Sequence, residues 1–127
     1  MTFRKEKVAE VLIGFLAQEI RRLNDARLML LTITNVKVSP DLKYANVFWS
    51  MPSWKTEIKS GKERRVLTFP STAEQDSLNS LLHENKMLLK RQIAKGLKLR
   101  YTPELRFEYD YSEEQAAKID SLIDGKS

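Results

Sequence analysis

From Arg4 to Leu23 the apolar residues return at helical spacing: Val8, Leu12, Phe15, Leu16 and Leu23 draw a stripe that Val11 and Ile20 widen and Glu19 interrupts. Asn24-Asp25 then ends the helix. Residues 28–38, LMLLTITNVKV, are rich in apolar and β-branched types and read as a strand. Their alternation changes phase near Asn35, which either burial on both faces or a β-bulge would produce. Ser39-Pro40-Asp41 signals a turn, and Tyr44 to Met51 reads as a second strand. So short a connection makes the pair antiparallel, because parallel strands need a long crossover. Pro52 to Ser71 contains Pro52, Gly61, Pro70 and mixed charges, and is expected to be a long loop with at most an irregular strand extension. Loops of this length in a small domain are often functional or mobile.

Ser71 or Thr72 can cap the next helix, with Glu74 in its first turn. Its rhythm runs through Leu78, Leu81, Leu82, Leu88, Leu89, Ile93 and Leu97 until Tyr101-Thr102-Pro103 stops it. Leu105, Phe107 and Tyr109 alternate with Arg106, Glu108 and Asp110 in the clearest strand of the chain. Ser112-Glu113-Glu114-Gln115 has the form of a capping box, and a short final helix is expected to end near Gly125. The order α-β-β-α-β-α, with a helical crossover leading to the third strand, predicts a two-layer α+β domain.

Composition narrows the function classes. A chain of 127 residues suits one domain with its own core. The absence of cysteine excludes disulfides and thiolate metal sites. No segment is long and apolar enough to span a bilayer. The N-terminus resembles a signal peptide only superficially: Glu10, Gln18 and Glu19 interrupt it in helical rhythm and no small-residue cleavage site follows, so it is expected to be a folded helix of a cytoplasmic protein. His83, the only histidine, sits mid-helix beside Glu84 with no catalytic or metal-binding spacing around it. No phosphate-binding loop or dinucleotide fingerprint is present. An enzyme is therefore not expected, nor is a cofactor or a metal.

The formal net charge of +5 and a pI of about 9.5 favour polyanionic partners, and the distribution of charge sharpens that. The chain from Glu104 onward is acid-rich, whereas residues 86–103, KMLLKRQIAKGLKLRYTP, hold no acid at all. Continued as a helix, this segment places Arg91, Lys95 and Lys98 on one face and Leu82, Leu89, Ile93 and Leu97 roughly opposite. Lys86 and Lys90 lie at the edge of the apolar stripe, from which they can snorkel outward. The helix dipole accounts for Lys98 and Arg100 near the C-terminus. It does not account for Lys86 or Lys90, nor for the lack of acidic partners four residues away. On composition alone, a nucleic-acid surface and a solvated helix face stand level. Arg21, Arg22 and Arg27, and the opening Arg4, Lys5 and Lys7, read as solvated helix ends rather than phosphate sites. Phe48 and Phe107 are expected in the core, while Trp54 stays open.

Specific residues then bring a family into view. Asp25-Ala26-Arg27-Leu28, the run Thr32-Ile33-Thr34-Asn35-Val36-Lys37-Val38-Ser39-Pro40-Asp41-Leu42, and Ala45-Asn46-Val47 follow one another in an order that resembles ribosome-binding factor A. That family shows a D-P-R-L stretch, a T-V-T-x-V-x-V-S strand, a D-L turn and an A-x-V strand. Arg100-x-x-Pro103-Glu104-Leu105-x-Phe107, followed by Asp110, matches its R-x-x-P-E-L-x-F signature. The resemblance runs from the first helix to the last strand. It implies a KH-like domain of the second type over residues 1–111, with residues 112–127 as a C-terminal helix and tail.

The resemblance also implies a role in late maturation of the small (30S) ribosomal subunit. The factor would bind the pre-subunit through 16S rRNA near its 5′ region and the decoding-site helices, and support rRNA 5′-end processing, particularly in the cold. It would leave with help from an assembly GTPase and be a monomer when free. Lys86, Lys90, Arg91, Lys95, Lys98 and Arg100 would contact rRNA phosphates. The family has an Ala-x-Gly kink in the crossover helix in place of the usual KH glycine loop, which suggests structured RNA rather than a short single strand. Counted back from Pro103, that kink falls on Asn85-Lys86-Met87, where neither Ala nor Gly stands. The alternative is a protein-interaction module, in which the acidic last helix and the segment around Trp54 dock a ribosomal protein or another assembly factor.

Overall fold

Tyr44–Ser50 forms the central strand of a three-stranded sheet, antiparallel to Thr32–Val38 on one side and parallel to Glu104–Tyr109 on the other. A computed structural model describes residues 5–124 of the chain. The elements are α1 (Lys5–Arg22), a 3-10 turn (Ala26–Leu28), β1 (Thr32–Val38), β2 (Tyr44–Ser50), β3 (Ser53–Lys59), β4 (Lys62–Thr68), α2 (Thr72–Glu84), α3 (Lys86–Gly96), β5 (Glu104–Tyr109) and α4 (Ser112–Asp124). Arg4 and Gly125, expected at the ends of the first and last helices, lie outside the described residues.

Helices α1, α2 and α3 cover one face of the sheet. Val8, Leu12, Leu16 and Ile20 recur every four residues down α1 and are buried over β1. Glu19 joins this buried stripe rather than breaking it, and its carboxylate accepts a hydrogen bond from Arg22 at 3.1 Å. Leu78, Leu81 and Leu82 of α2 and Leu89 and Ile93 of α3 complete the helical layer against Val36, Val38, Ala45, Val47, Leu105 and Phe107. Period-two alternation puts Trp49 on this inner face, fully buried, with Tyr109 edge-on at 5.1 Å. Phe48, expected in the core, points the other way and is half-buried on the open face.

The phase change near Asn35 is a β-bulge: Ile33 pairs with Trp49 and Asn35 with Phe48, so Thr34 is the extra residue. Its hydroxyl donates to Asp110 at 2.6 Å. β1 begins later than expected, at Thr32, because residues 26–28 form the 3-10 turn, and Met29 and Leu30 are left exposed. Of the two expected caps, Ser71 is the one that starts α2, and with Glu74 it forms a capping box. Ser112 is not a cap. It is the first residue of α4, and the Asp110 carboxylate accepts its backbone N–H at 2.9 Å.

The largest departure lies at residues 53–68. The expected long loop is a regular antiparallel hairpin, in register from Ser53–Thr68 to Lys59–Lys62. Ser60 (φ 55) and Gly61 (φ 74) both have positive φ, as a two-residue hairpin turn matched to strand twist requires. The ribbon forms a separate two-stranded sheet, exposed on both strands from the turn as far as the Thr56–Arg65 pair.

Candidate nucleic-acid interface

The crossover from β2 to β5 is two helices, because Asn85 breaks it. α2 ends at Glu84, and Asn85 adopts φ −93, ψ 2, well short of the helical ψ near −42. Its side-chain N–H donates to the Leu81 carbonyl at 2.9 Å, and its own carbonyl accepts from Leu89 N–H at 3.0 Å. An Asx-type side chain thus satisfies the end of one helix while its backbone opens the next. The bend falls at the position the sequence comparison indicated, made by Asn rather than by Ala-x-Gly.

α3 stops at Gly96, where Leu97 turns extended at φ −117, ψ 139. Lys98 and Arg100 therefore lie in the connection to β5. They do not continue the Arg91–Lys95 helical face, which corrects the single-face arrangement expected from periodicity. A Cβ placed on Gly96 would come within 2.7 Å of the Phe15 ring, so the missing side chain lets α3 close onto α1.

The six basic residues separate into two groups. Lys86 and Lys90 reach across to β5 and grip one carboxylate: Lys90 Nζ stands 2.7 Å from one oxygen of Glu104 and Lys86 Nζ 2.9 Å from the other. The missing acidic partner is present after all, contributed by another strand. These hydrogen bonds, Lys90's first, pull the Glu104 carboxyl from its ordinary 4.5 to about 2. Arg91, Lys95, Lys98 and Arg100 are exposed and make no ion pair among the described residues. The Arg100 guanidinium stacks over Tyr101 at 5.4 Å.

Further basic residues are exposed on the β1–β2 turn and the open face of the sheet. Glu104 N–H donates to the Lys43 carbonyl at 2.7 Å, tying the connection to the β1–β2 turn. On the open face, Lys37, Asn46 and Arg106 are cross-strand neighbours in one row. Arg106 lies over the Tyr44 ring at 4.6 Å and Lys37 over Phe48 at 5.5 Å. Sequence reasoning left Lys37 and Arg106 out. Their strand alternation, opposite the core residues Val36, Val38, Leu105 and Phe107, was the signal that could have found them.

Arg27 and His83, by contrast, are locally satisfied. Arg27 makes a two-pronged contact with Asp25, at 3.0 and 2.7 Å, and the same carboxylate caps the 3-10 turn. His83 contacts the Asn79 carbonyl one turn back and packs edge-on against Phe107. Among the described residues no helix is long and apolar enough to cross a membrane, and no His, Asp and Glu group could hold a metal ion.

A sequence model of ribosome-binding factor A matches residues 4–123. A protein named ribosome-binding factor A from Trichlorobacter lovleyi is 32% identical over 121 residues, covering 94% of this chain and 85% of that protein. Its namesake from Hahella chejuensis is 36% identical over 121 residues, covering 94% and 82%. Among solved structures, the crystal structure of ribosome-binding factor A from Thermus thermophilus shares the fold with a TM-score of 0.64 at 23% identity, covering 84% of this chain and 97% of that one. A Thermus thermophilus homology model of the factor, fitted into a cryo-EM map of its complex with 30S, gives a TM-score of 0.55 at 22% identity, covering 81% and 91%.

Proposed function

The chain belongs to the ribosome-binding factor A family, and from that premise we propose that it binds the small ribosomal subunit through 16S rRNA and supports its late maturation. The observation that carries this reading is that Arg91 and Lys95 on α3, and Lys98 and Arg100 in the connection that follows it, are all exposed and free of carboxylate partners among the described residues. Such cations gain most from phosphates, because binding releases the counterions condensed on RNA. Lys86 and Lys90 take the secondary part, since Glu104 already offsets them. A rigid α+β frame presenting a basic helix suits recognition of folded RNA by its shape. The 30S complex of the Thermus thermophilus relative supports the same partner. Support of rRNA 5′-end processing, action in the cold, release by an assembly GTPase and a cytoplasmic place of work complete the reading.

The test is co-sedimentation with purified small subunits across a salt series, for the intact protein and a folded Arg91→Glu/Lys95→Glu variant. Binding that weakens with salt and is lost on double reversal supports the rRNA surface. Binding that survives both overturns it and favours docking on a ribosomal protein.

A further inference from the structure

The β3–β4 ribbon is built unlike a piece of core. Residues 53–68 carry Lys55, Lys59, Lys62, Arg64 and Arg65 against Glu57 and Glu63. Register sorts the side chains into two faces. Trp54, Thr56 and Ile58 share one with Glu63, Arg65 and Leu67; Lys55, Glu57 and Lys59 share the other with Lys62, Arg64 and Val66. The second face therefore holds four cations and one carboxylate. Neither face is covered at the tip, where Ile58 is 72% exposed. A two-stranded hairpin without a packed face is marginal by itself.

Its charges stabilise it only in part. Glu57 and Arg64 are cross-strand partners and pair at 3.5 Å. The next pair outward on the same face is Lys59 opposite Lys62, flanking the turn. Like charges directly opposite one another destabilise a ladder. A sequence selected only to close the hairpin would put an acid at one of these positions. Repulsion concentrated at the most exposed point is relieved by a bound polyanion, whose phosphates interact favourably with both ammonium groups.

The surroundings indicate the direction of approach. An open groove of about 1200 Å³ separates the ribbon from α4, with Lys59, Arg64 and Arg65 on one side and Glu114, Lys118 and Asp120 on the other. The α4 wall sets two carboxylates against one cation, so it offers a polyanion less than the ribbon's own cations do. Lys55 and Lys62 are not part of its lining. A polyanion can therefore reach Lys55 and Lys62 without entering the groove, with Lys59 beside Lys62 across the turn.

We propose that the β3–β4 ribbon is a second RNA-binding element, an arm whose Lys55, Lys59 and Lys62 engage the phosphates of structured RNA separately from the α3 surface. At about 3.3 Å per residue, its seven-residue strands carry these contacts roughly 20 Å from base to tip. The arm extends the rRNA reading to a second contact and rests on it for the identity of the RNA, though not for the affinity.

The test measures salt-dependent binding to two probes, a synthetic RNA stem-loop and purified small subunits. The proteins are the intact chain, Lys59→Gln/Lys62→Gln and Arg91→Glu/Lys95→Glu. The expected result is that the ribbon variant lowers the slope of log affinity against log salt by about two on both probes. Its thermal midpoint should hold or rise, because the like-charge pair is gone. The loss should add to that of the α3 variant. An unchanged slope on both probes overturns the arm. So does a small-subunit affinity that falls with Trp54→Ala/Ile58→Ala but not with the lysine variant, since that pattern marks a protein partner. If the intact protein fails to bind small subunits, the ribosomal reading falls, and the stem-loop series still decides the arm.

Discussion

Lys90 Nζ lies 2.7 Å from one oxygen of the Glu104 carboxylate, and Lys86 Nζ occupies the other oxygen at 2.9 Å. The arrangement fastens the start of α3 to the start of the edge strand β5. It also holds two cations of the basic segment in an assembly with a net charge of one. The Glu104 side chain is 37% exposed, so solvent screens the contacts, and together they stabilise the fold by roughly 1 kcal/mol.

A pH dependence follows. Because the folded-state carboxyl sits near 2 instead of 4.5, its contribution is fully present above 4.5 and is lost as pH falls toward 2. Urea unfolding across that range should show an acid-sensitive component in the intact protein that Glu104→Gln removes. The same variant releases Lys86 and Lys90, so RNA should bind it more tightly and with a steeper salt dependence. Weaker RNA binding by a folded Glu104→Gln would show instead that the carboxylate positions the lysines for phosphate.

Trp49 is fully buried, and its indole N–H donates to the Asn79 side-chain oxygen at 3.0 Å, joining the central strand to α2. Asn79→Ala leaves that buried donor without a partner and should lower stability by about 1–3 kcal/mol. Chemical denaturation followed by circular dichroism measures the shift. An unchanged midpoint would show that another group satisfies the indole.

Gly96 and Phe15 should be coupled. A methyl at residue 96 meets the Phe15 ring at 2.7 Å, so Gly96→Ala forces the ring aside and loosens α1 against α3. In a Phe15→Ala background the same substitution should be neutral or stabilising, as alanine favours helix over glycine. A double-mutant cycle should return an interaction of at least about 0.5 kcal/mol. Strict additivity would contradict the close approach.

The ribbon turn predicts a local effect. Gly61 sits at φ 74, where an L side chain costs on the order of 1 kcal/mol. Gly61→Ala should raise amide exchange in β3 and β4 while the thermal midpoint of the domain holds. A drop in the global midpoint would show that the ribbon supports the core.

Helices α1 to α3 and the three-stranded sheet were legible because each has a buried face: four-residue recurrence in Val8, Leu12, Leu16 and Ile20, and two-residue alternation in Leu105, Phe107 and Tyr109. Phe48 was misplaced because its neighbour Trp49 is equally apolar, and only register decides which of them enters the core. The ribbon escaped for the opposite reason. Hydrophobic periodicity reports burial, and Trp54–Lys59 and Lys62–Leu67 put charges on both sides. The remaining signal was local, the Ser60-Gly61 dipeptide between two runs of similar length. At the candidate site the basic residues were legible as a cluster. The split between paired and unpaired members was not, because Glu104 is fourteen positions from Lys90 and meets it only once α3 packs beside β5.

The position of the ribbon within that pairing bears on how the chain folds. Trp49 and Tyr109 are ladder partners sixty positions apart, so β2 must wait for a distant strand while its β1 side forms from a tight turn. An insertion in this closing loop would ordinarily lengthen the search. By zipping Ser53 to Thr68, the ribbon short-circuits its own fifteen positions, so the loop behaves almost as if they were absent. Even unzipped they would add only roughly 0.3 kcal/mol of closure entropy, which grows with the logarithm of loop length. The long-range strand search is thus nearly indifferent to the arm, leaving its length and charge free to vary with whatever lies within its reach.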